Sequence, residues 1–255
     1  MSEPSRSAIE FADVTFRVSG DKTLLSGVNF SVLRGETLML LGRSGSGKTT
    51  CLKMINRLYA PSAGEVRVDG TPVTQWDVIK LRRGIGYAIQ DVGLFPHYSV
   101  RENVALVPKL EQWESDRIDA RVEEVLTLVG LPAREFAARY PHQLSGGQRQ
   151  RVGLARALAA EPPILLMDEP FGALDPITRA ELQMEFKKLQ QKLGKTVVFV
   201  THDVSEALLL GSRIGLMEEG RLRGIHSSSE FLQANDDSVK AYVAVFRASQ
   251  QMFQH

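Results

Sequence analysis

The chain has a single cysteine, Cys51, among its 255 residues, so no internal disulfide can hold the fold. That scarcity fits a reducing compartment. A bias of charge is missing too: 31 Lys and Arg stand against 30 Asp and Glu, for a formal net charge of +1. No field of one sign is available to hold a polyanion, and nucleic acid is not an expected partner. Long apolar stretches are also absent. Leu38–Leu41, Ile164–Met167 and Val197–Val200 are strand-sized runs, far below the roughly 20 residues a spanning helix needs. Any membrane role is therefore expected to be peripheral. Met1 to Glu10 lacks the basic start and apolar core of a secretory signal, so no export is expected. What is present is 43% hydrophobic and 24% charged, an ordinary globular composition. The length suits one large domain or two small ones.

Short apolar runs alternate with longer helical patterns, which predicts an α/β layer structure containing parallel strands. Thr37–Leu41 leads into a Gly-rich turn, Ile164–Met167 ends in two acids, and Thr196–Val200 ends at Thr201 and His202. Open α/β sheets bind ligands beyond the carboxyl ends of their strands, which makes these three endings natural neighbours. Between Gln90 and Ala160 the pattern turns helical, with helices expected over Ser99–Val107, Ser115–Gly130 and Ala133–Tyr140. Pro176 should open a further helix that Gly194 ends, and Ile214–Ile225 reads as a hairpin turning near Glu219 and Gly220.

Gly42–Thr49 read GRSGSGKT, matching G-x-x-x-x-G-K-S/T between an expected strand and a helix at Thr50–Leu58. Glycines let the backbone turn its N–H groups toward phosphate oxygens, and a helix N-terminus adds positive dipole. Lys48 would reach the β and γ phosphates, and the Thr49 hydroxyl would serve Mg2+. Asp168 closes the run ILLM, where a carboxylate can orient Mg2+ through its waters, and Glu169 beside it can polarise an attacking water. His202 is the one histidine of five at a strand end expected near the phosphates, where it could hold the γ-phosphate and water in line.

Leu144–Gln148 read LSGGQ before a helix expected through Arg149–Ala159, which makes a second phosphate cradle. Two cradles on one chain make sense if the second serves the nucleotide of a neighbouring copy, so an ATP-dependent two-fold dimer is expected. Gln90 ends the run Ile85–Gln90 just before the helical stretch, either as a coupling element touching Mg2+ or water, or as an ordinary loop residue. Gly93–Tyr98, GLFPHY, offers an apolar and aromatic patch for a partner, or packs against its own helices.

With GRSGSGKT, Gln90, LSGGQ, ILLMDE, Gly172–Asp175 and His202 in this order, the chain resembles the ATP-binding subunit of ABC transporters over about Ala8–Phe246. The resemblance implies a P-loop NTPase core of α/β class, with an antiparallel β subdomain and an inserted α-helical subdomain. It implies one ABC ATPase domain over 1–255, in which 91–160 is the helical subdomain with the signature motif and 226–255 a short helical tail. No regulatory domain is expected. Nucleotide would be bound by Gly42, Arg43, Ser44, Gly45, Ser46, Gly47, Lys48, Thr49, Thr50 and Gln90, and Mg2+ by Thr49, Gln90 and Asp168. Glu169 would be the catalytic base, with His202 in the H-loop and Asp175 in the D-loop. Leu144, Ser145, Gly146, Gly147 and Gln148 would meet the opposite nucleotide. The implied cofactors are ATP and Mg2+. The implied partners are a second copy, transmembrane permease subunits and, indirectly, an extracytoplasmic substrate-binding protein, with the chain peripheral on the cytoplasmic face of the inner membrane.

MINRL at Met54–Leu58, LRRGIGYAIQDVGLFPH at Leu81–His97, VPKLEQW at Val107–Trp113 and DPITR at Asp175–Arg179 look like bacterial quaternary-amine importers, whose substrates are glycine betaine, choline and carnitine. The alternatives are an importer of another small solute such as an amino acid, and a soluble ABC ATPase outside transport. A P-loop kinase would leave LSGGQ without a role. Besides the regulatory domain expected to be absent, two places depart from the family pattern. Val18 stands where an aromatic should stack on adenine, so Phe16 substitutes or affinity rests on the phosphates. His226, Ser227 and Ser228 replace a usual Gly-Thr-Pro turn, so the last segment is expected to leave the core differently.

Overall fold

The computed structural model describes residues 7–18, 22–89, 92–172 and 174–252. In chain order it begins with a long strand pair, β1 (Ser7–Val18) and β2 (Lys22–Leu33), followed by β3 (Thr37–Leu41), α1 (Lys48–Ile55), β4 (Ala63–Val68) and β5 (Thr71–Pro72). A middle stretch carries α2 (Val78–Arg83), β6 (Ile85–Ala88), α3 (Val100–Leu110), α4 (Ser115–Leu128), α5 (Ala133–Phe136), α6 (Gly146–Ala159), β7 (Ile164–Asp168) and α7 (Pro176–Leu193). The last part holds β8 (Thr196–Thr201), α8 (Val204–Leu210), β9 (Arg213–Glu218), β10 (Arg221–Ser227), α9 (Ser228–Gln233) and α10 (Asp237–Met252). The fold is the expected α/β class. Among the described residues no helix is long and apolar enough to cross a membrane.

The chain divides into two compact units, Met1–Trp76 with Thr196–His255, and Asp77–Lys195. In the first, β2, β1, β4 and β5 form an antiparallel sheet in that order. Beside it β3 runs parallel between β8 and β9, and β10 closes the far edge antiparallel to β9. Every residue of β3 and β8 is buried. Continuous apolar strands of this kind belong to sheets covered on both faces. Burying each of Leu38, Met39, Leu40 and Leu41 contributes about 1.5–3 kcal/mol. Helix α1 buries Cys51, Leu52, Met54 and Ile55, and burial pushes the Cys51 thiol up to about 12.

In the second unit β6 and β7 pair in parallel, with Ala88 opposite Met167. Apolar residues of α3 (Val104, Ala105), α4 (Val122, Val125) and α6 (Val152, Ala155) are buried. Two arginines tie this unit to backbone rather than to carboxylates alone. Arg121 of α4 donates to Ala159 O at 3.1 Å and Leu158 O at 2.8 Å, satisfying carbonyls at the end of α6. Arg156 of α6 donates to Val92 O at 2.7 Å and Gly93 O at 2.8 Å.

Several boundaries differ from the sequence pattern. Helix α1 starts at Lys48 rather than Thr50, directly after Gly47. The helix expected over Ala133–Tyr140 stops at Phe136, because Ala137 O and Arg139 O accept from Arg101 N and Val100 N and so serve the start of α3. The hairpin turns at Glu219 and Gly220, both with positive φ, as expected. At the departure from the family pattern, β10 runs through Ser227, which caps α9: Glu230 N donates to Ser227 Oγ and Ser227 N to Glu230 Oε2.

Candidate active site

Parallel pairing sets the geometry of the first unit's share. Leu41 lies opposite Thr201, so the Gly-rich loop after β3 and His202 after β8 leave neighbouring strands at the same end. The loop is packed from behind. A Cβ on Gly42 would collide with the backbone carbonyl of Met217, and Gly220 N donates to Ser46 O at 3.2 Å. Gly47 caps α1 at φ 102° with no side chain, and the first turn of α1 carries no acid. By contrast α2, α3, α6 and α7 are each capped by a side chain of their own, from Asp77, Ser99, Ser145 and Asp175. The start of α1 thus presents backbone donors and dipole without a competing oxygen.

Inside the loop, Lys48 is buried and its Nζ donates to Gly42 O and Arg43 O, both at 2.8 Å. Ser46 Oγ is buried with no hydrogen-bond partner among the described residues. A buried hydroxyl without a partner costs free energy unless something else supplies one. Together these features fit a phosphate. Arg43, Ser44 and Gly45 are exposed, while Thr49 and Thr50 are half-buried in the first turn of α1. His202 is exposed at the mouth of the strand end.

The second unit brings a different set together. Asp168 is the buried last residue of β7 and Glu169 follows it, at the same strand end as Ala88 and Ile89 of the neighbouring chain segment. Glu169 has φ 46°, in the left-handed region. Most other positive-φ residues outside glycine lie in hairpin turns or just past helix ends; Glu169 instead follows a strand and opens a tight turn in which Gly172 N donates to Glu169 O. Such strained residues gather at functional sites. Gln90, singled out for coupling, lies outside the described residues.

At the second cradle, Ser145 Oγ accepts from Gln148 N at 3.2 Å and Gln148 Oε1 accepts from Ser145 N at 3.0 Å. The chain caps its own α6 through the Ser145 oxygen as acceptor, which leaves the Ser145 O–H as a donor that an external oxyanion could accept from. Leu144 is buried behind this cap, whereas Gly146 is exposed and Gly147 half-buried. Asp175 accepts from Thr178 N at 3.0 Å as the cap of α7. The backbone N–H and hydroxyl of Thr178 hold its carboxyl below the usual carboxylate range.

Two side chains were not singled out from sequence. Asn103 of α3 is fully buried; its Oδ1 accepts from Phe95 N, and its Nδ2 donates to Phe95 O, Tyr98 O and Ser99 O. It thereby shapes GLFPHY, in which Phe95 is 40% exposed and the His97 and Tyr98 rings meet edge to face. Arg156 is the other, through its hold on Val92 and Gly93. Neither has a sequence signal beyond a polar residue on an otherwise apolar helix face. Phe16 stacks on Tyr59 with centroids 5.2 Å apart, so one face of the expected substitute is already covered.

A family profile described as ABC transporter matches residues 25–172. The chain is 48% identical over 239 residues to a choline transport ATP-binding protein of Bacillus subtilis, covering 93% of this chain and 62% of that one. It is 50% identical over 214 residues to a glycine betaine/carnitine/choline transport ATP-binding protein of the same organism, covering 84% and 56%. A glycine betaine uptake system ATP-binding protein of Escherichia coli is 51% identical over 214 residues, with 84% and 69% covered. The chain thus spans little more than half the length of the two Bacillus relatives. Among solved structures, a dimeric ATP-binding cassette in a post-hydrolysis state with ADP and Pi is similar at TM-score 0.79 and 36% identity, covering 86% of this chain and 98% of that one.

Proposed function

The chain belongs to the ABC transporter family, and from that premise we propose that it is the ATP-binding and hydrolysing subunit of an importer for quaternary-amine osmoprotectants. The observation that carries the ATP reading is the loop at the start of α1: an uncapped helix N-terminus, the buried Ser46 hydroxyl without a partner, and Lys48 held on loop carbonyls. Phosphate oxygens fit these donors, and Lys48 would turn from Gly42 O and Arg43 O toward them. Mg2+, when bound, offsets phosphate charge. Its holders would be Thr49, Asp168 and Gln90, whose hydroxyl, carboxylate and amide oxygens are the hard donors it prefers. Glu169 takes a proton from the attacking water, and His202 holds that water and the γ-phosphate in line.

Ser145–Gln148 of one copy meet the nucleotide of the other, so ATP closes a homodimer and hydrolysis opens it. A dimeric cassette among the similar solved structures supports this reading. Permease subunits would dock where Phe95 and its neighbours are exposed, a few positions after Gln90 in the sequence, with a substrate-binding protein acting through the permease from outside. That places the chain on the cytoplasmic face of the inner membrane. The substrate class rests on the choline and glycine betaine transport names of the relatives.

The test is ATPase activity of the chain with its permease in vesicles. Betaine or choline, delivered by binding protein, should stimulate it; stimulation by amino acids alone would move the substrate class, and a chain active with no membrane partner would overturn transport. Lys48→Ala should weaken ATP binding about 10- to 100-fold, the range for losing a charge-assisted hydrogen bond. Glu169→Gln should keep binding, lose roughly 10²–10⁴-fold in turnover and accumulate as an ATP-bound dimer.

A further inference from the structure

Between Glu169 and α7 the hydrogen bonds of the chain converge on one side chain. Gly172 N donates to Glu169 O at 3.1 Å, and Leu174 N to Phe171 O at 3.3 Å. From the first turns of α7, Arg179 Nη2 donates to both Gly172 O at 3.3 Å and Leu174 O at 3.1 Å. The arginine is itself fixed: Arg179 N donates to Asp175 O at 2.9 Å, behind Pro176 and the Asp175 cap. Phe171 and Leu174 are buried, and the Phe171 ring meets Phe186 of α7 edge to face with centroids 6.2 Å apart. The guanidinium thus braces this segment from the same helix against which it packs. A Cβ on Gly172 would lie 3.9 Å from Glu169 Oε2, so the braced peptide runs beside the carboxylate itself. Glu169, at φ 46°, is the strained residue at the head of the turn.

We propose that Arg179 is a positioning residue for hydrolysis, which holds Gly172 and Leu174 by their carbonyls and so sets where the Glu169 carboxylate stands. The proposal rests on the reading of Glu169 as the base. A left-handed glutamate persists only where its surroundings over-determine it, and the arginine supplies two of the bonds that close the turn behind it. A planar, pre-organised guanidinium suits this task better than a flexible ammonium. Without it, the segment from Gly172 to Leu174 loses its tie to α7. Glu169 can then relax toward ordinary backbone angles, and the attacking water no longer meets a base at a fixed distance. The cost falls on turnover rather than on nucleotide binding, because Arg179 belongs to the Asp77–Lys195 unit and the phosphate loop to the other. Arg179 acts through the main chain and is not proposed to touch water or nucleotide.

The experiment is steady-state ATPase kinetics of the full chain, with calorimetric titration by ATP and Mg2+ to count intact sites. Arg179→Ala should lower kcat about 10- to 100-fold, the range for a small misplacement of a catalytic group, with KM, Kd and the binding stoichiometry unchanged. Arg179→Lys should recover part of that loss, since an ammonium can still donate to one of the two carbonyls. In a Glu169→Gln background, followed by single turnover, Arg179→Ala should cost nothing further and the ATP-bound dimer should still accumulate, because no base is left to position. An unchanged kcat for Arg179→Ala, a Lys variant no faster than the Ala variant, an equal loss in both backgrounds, or disappearance of the trapped dimer overturns the proposal. If Glu169→Gln itself turns over normally, the base reading falls and takes the proposal with it. A slow Glu169→Gln beside a normal Arg179→Ala sinks the proposal alone.

Discussion

Asp175 shows how one carboxylate can fix the start of a helix. It caps α7 through Thr178 N, which holds its carboxyl below the usual range. A carboxylate whose native value is depressed stabilises the fold above its unfolded value, and that contribution is lost as pH falls through the native value. Asp175→Ala should therefore melt lower than the parent at pH 7. The gap should narrow below the ordinary carboxylate range and close at the lower native value, followed by thermal unfolding across pH. A gap independent of pH would mean that the cap acts through something other than its charge. Glu169 is the opposite case at the same scale: its left-handed backbone has no helix end or hairpin to account for it, and the strain sits at the carboxylate proposed as the base.

Elements explain what single residues do not. Within the phosphate loop two glycines are required for different reasons. Gly42 has the Met217 carbonyl where a Cβ would go, whereas Gly45 has open space and only a φ of 80°. Gly45→Ala should cost about 1 kcal/mol and leave ATP binding measurable, while Gly42→Ala should displace the loop from β9 and abolish it. Titration of the two variants beside their melting curves separates the cases. Helix α6 likewise reaches Val92 twice, by the Arg156 guanidinium and by Gly153, where a Cβ would press on the Val92 side chain. Arg156→Ala leaves two carbonyls without their donor and should lower unfolding free energy by about 2 kcal/mol, read from denaturant curves, with faster amide exchange over residues 92–98. Much of this scale was legible in the sequence. The strands at Thr37, Ile164 and Thr196 and the helix between Pro176 and Gly194 follow from apolar runs and end signals. What was not legible came from long-range backbone bonding: the early end of α5, after which Ala137 O and Arg139 O serve α3, and the placement of buried Asn103 and half-buried Arg156, whose partners are main-chain groups that leave no trace in side-chain pattern.

For the whole molecule, the order of chain segments matters more than their identity. The first unit is assembled from two stretches of sequence, and β3 meets β8 only after the whole of Asp77–Lys195 has intervened. The second unit is one continuous stretch rich in local helices. Closing a long loop is slow, and helical contacts close in sequence form early. Pulse-labelled amide exchange during refolding should protect α3, α4 and α6 before β3 and β8. Simultaneous protection would show that the units fold together. The proposed site was legible in the same uneven way, since its motifs are local strings, whereas the cleft that Arg43 and Tyr242 line together joins residues about two hundred positions apart in sequence.

Cys51 lies in α1, one turn behind Lys48, and is fully buried with its thiol pushed up to about 12. Such a sulfur is inert toward alkylating reagents while the helix is seated. The molecule thus carries its own stopwatch. The pace at which a maleimide labels this one thiol counts the openings of α1, and a nucleotide resting on the head of that helix would slow the count.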